Sequence, residues 1–295
     1  MTEVTIAIDA DNHLGETPIW SGADEALWWV NCENPPELHR WHPASGTHNV
    51  WPMPLRIGGF VHRQDGGILV ALADGLYDFD PESGSLARRV ASPLPPHVKL
   101  HECHCDRQGR FWIGAYDHDF PANPAADGGA FFRLDGDRLV PVITGIAVAN
   151  GLAFSPDGRT LYAADAPKRA VRAWDLDPET GAISNEREFL RLVEGEGFVD
   201  GATVDSAGGY WLANVAAGRL RRYLPDGTLD RIVELPFTNP TKPAFGGPDL
   251  GTLYVTSTKL AMPAFKQPAM PNGPVYQLRP DETGVAETPF RGWNP

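Results

Sequence analysis

Short apolar segments alternate with polar turns along the whole chain. One turn phrase, clearest in Ser-Pro-Asp-Gly-Arg-Thr-Leu-Tyr at residues 155–162, leads each time into an apolar or aromatic stretch, and its six copies are residues 21–28, 63–70, 106–113, 155–162, 205–212 and 247–254. The residues equivalent to Gly158 are separated by 42, 43, 49, 50 and 42 positions. Repeats of this length are typical of the blades of a β-propeller.

A second family of turns lies between these copies. All six members end in glycine, and they are residues 43–46, 81–84, 134–136, 178–181, 225–227 and 280–284. Two hairpin turns per repeat are what a four-stranded antiparallel blade requires. The sequence therefore predicts an all-β, six-bladed β-propeller that occupies residues 1–295 as a single domain. Helix content should be low, and residues 4–7 are expected to pair into the last blade and close the ring.

Equivalent positions of the repeats can be compared directly. The position six residues before the Pro156 equivalent is occupied, in chain order, by Glu16, Gly58, His101, Asn150, Asp200 and Lys242. Five of the six are polar or charged. A water-filled channel lined with solvated groups would explain this pattern. The sharper hypothesis is a cation site in which Glu16, Asn150 and Asp200 bind one divalent metal ion such as Ca²⁺, Mg²⁺ or Mn²⁺, with Zn²⁺ or Fe²⁺ as further candidates.

Four segments resemble signature segments of the regucalcin/gluconolactonase family: Leu-Gly-Glu-Thr-Pro-Ile-Trp at 14–20, Asn-Gly-Leu at 150–152, Asp-Gly at 200–201 and Phe-Gly-Gly at 245–247. The resemblance covers nearly the whole chain. It implies a six-bladed propeller with one divalent cation bound by Glu16, Asn150 and Asp200. It also implies hydrolysis of a sugar-derived lactone to the open-chain acid.

One segment departs from the family pattern. Where members often have an Arg-x-Asn-Asp-Gly stretch that touches substrate, residues 99–105 read Lys-Leu-His-Glu-Cys-His-Cys. Lys99 and His101 are therefore expected to contact substrate, and the resemblance indicates that Asp119 or a neighbouring acid reaches substrate hydroxyls. An exposed acidic loop is the alternative for Asp119. Lys242 either neutralises an anionic group of the substrate or pairs with Glu16.

Cys103 and Cys105 do not form a convincing zinc motif, because no second cysteine pair accompanies them. Strand alternation predicts that His101, Cys103 and Cys105 share one face, with both cysteines running into the blade as reduced structural residues.

Charge and composition narrow the range of partners. The net charge of −13 comes from scattered acids without a basic stripe, which argues against nucleic acid and anionic membranes. The odd set of three cysteines favours a reducing, cytoplasmic setting. We expect no signal peptide, because no basic n-region is followed by an apolar stretch, and no membrane span, because no apolar run reaches roughly 20 residues. We expect a small-molecule lactone as the partner and a monomer or weak homo-oligomer.

The expected reaction uses the metal ion to polarise the lactone carbonyl and Asp200 as general base, while Glu16 serves as a ligand. The chain has no Gly-x-Ser-x-Gly elbow, which argues against a serine hydrolase. Three alternatives stay open: a metal-dependent phosphotriesterase-like hydrolase, a non-enzymatic Ca²⁺-binding propeller and a protein-interaction platform.

Overall fold

A computed structural model describes residues 3–262 and 268–293, and nearly all of its regular structure is β-strand. In chain order the strands are β1 (Thr5–Ile8), β2 (Gly15–Ser21), β3 (Ala26–Asn31), β4 (Glu37–Trp41), β5 (His48–Pro52), β6 (Ile57–His62), β7 (Ile68–Leu72), β8 (Gly75–Phe79), β9 (Leu86–Ala91), β10 (Val98–Cys105), β11 (Phe111–Asp117), β12 (Gly129–Asp135), β13 (Arg138–Ile146), β14 (Ala149–Phe154), β15 (Thr160–Asp165), β16 (Ala170–Leu176), β17 (Ile183–Arg191), β18 (Phe198–Val204), β19 (Tyr210–Val215), β20 (Arg219–Tyr223), β21 (Leu229–Glu234), β22 (Pro240–Gly246), β23 (Thr252–Ser257) and β24 (Val275–Leu278). Within these residues the helical structure is a 3-10 turn at Ala166–Lys168, and no helix is long and apolar enough to cross a membrane.

The strands form six antiparallel sheets of four strands each. Five sheets follow chain order, as β2 to β5, β6 to β9, β10 to β13, β14 to β17 and β18 to β21. The sixth combines β22, β23 and β24 with β1 from the start of the chain, so that Thr5 lies opposite Gln277. The predicted six-bladed propeller and its closure by the N-terminal strand are both confirmed. The extent of the domain, residues 1–295, stays a prediction.

The repeated turn phrase has a structural reason in two blades. The Asp106 carboxylate accepts a hydrogen bond from Trp112 Nε1 at 3.1 Å, and the Asp205 carboxylate accepts one from Trp211 Nε1 at 2.8 Å. Both tryptophans are fully buried on the second strand of their blade. A buried indole N–H needs an acceptor, so the turn acid and the strand aromatic recur together.

The first strands of the blades, β2, β6, β10, β14, β18 and β22, lie next to one another around the central channel. Each carries a register shift that adds one residue to it, between Glu16 and Ile19, Ile57 and Gly59, His101 and Cys103, Asn150 and Ala153, Val199 and Ala202, and Pro240 and Pro243. These six bulges coincide with the six equivalent repeat positions compared above, which are called the ring from here on: Glu16, Gly58, His101, Asn150, Asp200 and Lys242. A bulge re-aims side chains, and bulges are common beside active sites.

The bulges also hold two non-glycine residues in the left-handed backbone region. Thr17 has a φ of 48° and Glu102 a φ of 42°. Such a conformation costs roughly 1 kcal/mol per residue and is typical of functional sites. The strain lies at the residue that follows a ring position in each case.

Candidate metal centre

The three predicted metal ligands come from three inner strands. Glu16 lies on β2, Asn150 on β14 and Asp200 on β18, and their exposed fractions are 2%, 6% and 9%. The Asn150 side chain approaches Asp200 Oδ1 to 3.1 Å. Two carboxylates and an amide therefore lie at the same depth in a nearly closed part of the channel. Their role as metal ligands stays a prediction that this arrangement supports.

Burial and mutual repulsion perturb both carboxylates. The pKa of Glu16 is raised to about 7, first by burial and then by the charge of Glu102, while Lys242 opposes the change. The pKa of Asp200 is also raised, by burial, by Glu16 and by Glu102. A divalent cation between them would reverse this balance by favouring both ionised forms.

The amide of Asn150 provides a test of fit for such a cation. With its nitrogen toward β18, the amide donates to Asp200 Oδ1 at 3.1 Å and to Ala149 O at 3.2 Å. With its oxygen in the same place, acceptors converge without a donor among them. Converging carboxylate and amide oxygens are the donor set that hard divalent cations prefer. The residues present therefore fit one such ion.

A buried ion pair connects the ring residue Lys242 with a residue across the channel. Lys242 Nζ on β22 donates to Glu102 Oε1 on β10 at 3.0 Å, and the two side chains are 4% and 1% exposed. These strands belong to the third and sixth blades, which face each other in a six-membered ring. The second carboxylate oxygen of Glu102 accepts a hydrogen bond from Leu152 N at 3.0 Å. Lys242 thus pairs with Glu102, and not with Glu16 as one hypothesis held.

Two glycines make room for this arrangement. A Cβ at Gly201 would lie 2.6 Å from the Cβ and Cγ of Lys242, so the lysine side chain occupies the space of the missing one. A Cβ at Gly58 would lie 2.5 Å from Leu100 O on the neighbouring inner strand. The one ring position without a polar side chain is therefore closed by backbone.

The ring residue His101 contacts an aromatic side chain. Its ring centroid is 5.6 Å from that of Tyr116, and its Nδ1 is buried without a hydrogen-bond partner in the described structure. Burial, assisted by the charges of Arg56 and Lys242, lowers the pKa of His101 to about 3, although a hydrogen bond with Asn150 opposes this. A neutral imidazole is available to bond a polar substrate group.

The loop after β11 brings Asp119 to a second group of potential ligands. One ligand atom from each of His97, Asp117 and Asp119 lies within 4.8 Å of the others. Both carboxylate oxygens of Asp117 already accept backbone hydrogen bonds, from Asp119 N and Gly128 N, each at 3.0 Å. Asp119 and His97 are exposed. The predicted contacts of Asp119 and Lys99 with substrate stay predictions.

Glu102 and Arg56 lie at the site although the sequence patterns did not predict them. Strict alternation placed Glu102 on the face opposite His101, whereas the bulge between His101 and Cys103 aims it across the channel. The signal that was available is that Glu102 stands where the family stretch has its aspartate. All three cysteines are buried free thiols, which confirms the prediction for Cys103 and Cys105, and Cys103 Sγ donates to Phe60 O at 3.5 Å. The prediction that His101 shares their face was wrong, because the bulge shifts the register between His101 and Cys103.

The opposite end of the channel holds a cavity of about 430 Å³. Its walls include Trp20, His62 and Lys242, and the C-terminal segment that follows β24 contributes Glu287. Glu287 forms an ion pair with His104 at 3.1 Å. The same segment is tied to the second blade where Phe290 N donates to His62 O at 2.8 Å. Of the six ring residues, Lys242 alone lines this cavity.

Known proteins are similar to this chain in sequence and in fold. The profile described as SMP-30/Gluconolactonase/LRE-like region matches residues 14–259. The chain is 37% identical over 285 residues to the 6-deoxy-6-sulfogluconolactonase of Pseudomonas putida, with 95% of each chain covered. It is 33% identical over 294 residues to the L-arabinolactonase of Azospirillum brasilense, which covers 98% of this chain and 96% of that one. The crystal structure of a calcium-binding protein, regucalcin, from Agrobacterium tumefaciens superposes with a TM-score of 0.90 at 27% identity, covering 99% and 98% of the two chains. The protein therefore belongs to the SMP-30/gluconolactonase/LRE-like family.

Proposed function

We propose that the protein hydrolyses a sugar-derived lactone to the open-chain hydroxy acid at the ring end of its channel. We further propose that one divalent cation is held there by Glu16, Asn150 and Asp200. The observation that carries this is that three buried side chains with oxygen atoms come together from three blades, while the nearby ammonium of Lys242 is already paired to Glu102. Relatives named as sugar lactonases support the substrate class, and the relative named as a calcium-binding regucalcin supports a hard cation.

The chemistry needs a polarised carbonyl and a base for water. When bound, the cation supplies Lewis-acid polarisation of the lactone carbonyl and offsets the charge that develops on its oxygen. Asp200 takes a proton from the water that attacks the carbonyl carbon. The ring C–O bond then breaks, and the same proton passes from Asp200 to the departing alkoxide oxygen. The carboxylate is thereby regenerated.

Other side chains would orient the substrate. His101 offers its unpartnered Nδ1 to a substrate hydroxyl, while Glu16 stays a ligand without moving a proton. Lys99 and Asp119 would bind polar groups farther out. Lys242 is less suited to substrate, because Glu102 neutralises it inside the channel.

The cysteines bear on the cellular location, and the ring residues bear on the oligomeric state. We place the protein in the cytoplasm, since its three cysteines are free thiols. We propose a monomer or weak homo-oligomer, since one chain supplies every ring side chain.

The test is a screen of pentono-, hexono- and aldarolactones with metal-free protein and with added Ca²⁺, Mg²⁺, Mn²⁺, Zn²⁺ or Fe²⁺, after subtraction of spontaneous hydrolysis. Metal-dependent turnover should be lost in Glu16→Gln and Asp200→Asn but kept in Asp137→Asn, a control at a side chain that is 89% exposed. A phosphotriester in the same screen tests the alternative hydrolase. Turnover of no lactone under any metal would refute the proposal.

A further inference from the structure

Arg56 lies beside the ring although it belongs to no repeat motif. It directly precedes β6, and its guanidinium carbon is 5.0 Å from the centroid of the Tyr116 ring. Tyr116 is in turn in edge contact with His101, whose pKa the charge of Arg56 helps to lower. Contacts therefore connect His101, one of the six inner-strand ring residues, through Tyr116 to the guanidinium of Arg56. An arginine stacked on an aromatic ring is held in one orientation.

One edge of this guanidinium forms no hydrogen bond within the described residues, although it has an ion pair with Glu33. Nη1 donates to Leu100 O at 3.0 Å, which fixes one corner. Nε lies 3.3 Å from Glu33 Oε2, but the geometry is not that of a hydrogen bond, and Nε is buried without a partner in the described structure. Nη2 makes no hydrogen bond within the same residues. The Nε and Nη2 groups form the edge that binds a planar or tetrahedral oxyanion through two parallel hydrogen bonds.

A second cation, Lys99, is a strand neighbour of Tyr116. Lys99 on β10 lies directly opposite Tyr116 on β11, and it forms no ion pair with the residues that the structure describes. The acid nearest to Arg56, Glu33, is 33% exposed, whereas the Arg56 side chain is 13% exposed. The whole chain carries a net charge of −13, so positive charge at this position opposes the overall balance. A local positive charge on an acidic protein favours the binding of an anion at that one place over attraction of anions to the whole surface.

We propose that Arg56, assisted by Lys99, is a subsite for an anionic group on the part of the lactone farthest from its carbonyl. The substrate class is then an aldonolactone with a carboxylate or a sulfonate at its terminal carbon. This inference rests on the proposed lactonase function, because the ring fixes where the carbonyl lies. The buried Nε of Arg56 is the donor that the bound anion would satisfy, and Glu33 would compete for it.

The test compares a neutral hexonolactone with two lactones of the same length, one with a terminal carboxylate and one with a terminal sulfonate. The wild-type protein should favour an anionic lactone by at least about 10-fold in kcat/KM, and the better of the two acids identifies the group. Arg56→Met should raise KM for that lactone by about 10- to 100-fold, the equivalent of losing one or two charge-assisted hydrogen bonds. Its KM for the neutral lactone should change by less than about 3-fold. Arg56→Lys should lie between Arg56→Met and wild type, because it keeps the charge but loses the fork.

Two further variants protect the test against a change in folding. Glu33→Gln should lower KM for the anionic lactone by releasing Nε, an effect that damage to the fold does not produce. Arg138→Met removes one positive charge from a side chain that is 85% exposed, and it should change KM for neither the neutral nor the anionic lactone. Equal effects of Arg56→Met on neutral and anionic lactones, or no anionic preference in the wild type, would overturn the subsite while leaving the lactonase intact. If no lactone is hydrolysed, the proposed function fails, and calorimetric titration with a terminal dicarboxylic and a monocarboxylic sugar acid decides on the subsite by itself.

Discussion

The ion pair between Lys242 and Glu102 should be a large contributor to stability, and Lys242→Met tests this. Removing one partner of a buried pair typically destabilises a protein by about 3–5 kcal/mol, because the other charge is left without compensation. Here both side chains are almost fully buried, and the hydrogen bond from Leu152 N holds Glu102 in place. The glutamate therefore cannot turn toward solvent.

The abandoned carboxylate can escape only by taking up a proton, which sets an upper limit on the cost. Relative to an unfolded chain, in which the reference pKa of a glutamate is about 4.3, holding a glutamate protonated costs about 3.7 kcal/mol at pH 7 and about 1 kcal/mol at pH 5. The destabilisation by Lys242→Met should thus be about 3–4 kcal/mol at pH 7 and fall to about 1 kcal/mol at pH 5. This is a large part of the 5–15 kcal/mol that a folded domain usually has.

The assay is urea unfolding at both pH values with a chelator present, since a bound metal would add its own stabilisation. Lys242→Met/Glu102→Gln should recover most of the loss, because the glutamine removes the charge and can still accept the bond from Leu152 N. Lys168→Met is the matched control, since that lysine is 57% exposed in its pair with Asp165 and should cost less than about 1 kcal/mol. A loss at Lys242 that is below about 1 kcal/mol at pH 7, or that does not depend on pH, would refute the reasoning.

Three further outcomes are expected elsewhere in the fold. Burial and a neighbouring histidine lower the pKa of His39 to about 3, so the unfolded chain binds more protons than the folded protein below pH 6.5. The free energy of unfolding should therefore fall as the pH drops from 6.5 toward 3, by at most about 1.4 kcal/mol per pH unit from this group. His39→Phe should make the midpoint of urea unfolding depend less on pH. Gly201→Ala should destabilise by about 1–3 kcal/mol in thermal unfolding, because its Cβ would meet Lys242 at 2.6 Å, and an unchanged Tm would contradict this. Burial alone would raise the pKa of Glu287, but His104 and other cations outweigh it and hold the pKa at about 2. The stabilisation by the Glu287 carboxylate is therefore present above pH 4.5 and lost toward pH 2. In fluorimetric melting curves, Glu287→Gln should have a lower Tm than wild type at pH 6 and the same Tm near pH 2.

The repeats made the architecture and the ring predictable. Once Glu16, Asn150 and Asp200 occupied one repeat position, their common depth in a propeller followed from counting residues. The same count would have worked for any residue on a regular strand. It failed one residue later, at Glu102, because alternation assumes an unbroken ladder and the bulge after His101 inserts a residue. A bulge has no reliable signature in a single sequence.

Arg56 was beyond sequence reasoning for a different reason. It lies outside both turn families, and its position beside Tyr116 depends on how the second blade packs against the third. Contacts between blades join residues distant in sequence, as in the bond from Arg56 to Leu100 O. Periodicity describes each blade but not which residue of one blade faces a given residue of the next.

The two cations near the site can be assigned separate roles on the basis of their contacts. The channel contains three carboxylates, Glu16, Glu102 and Asp200, and Lys242 neutralises one of them within hydrogen-bond distance. Two negative charges are left at the ring, which is the charge that one divalent cation would balance. Since Glu102 neutralises Lys242, the proposed anionic substrate would need another cation, and Arg56 Nε makes no hydrogen bond in the described structure although Glu33 is 3.3 Å away. Substitution of Lys242 should therefore change stability and metal affinity, whereas substitution of Arg56 should change KM according to the charge of the lactone.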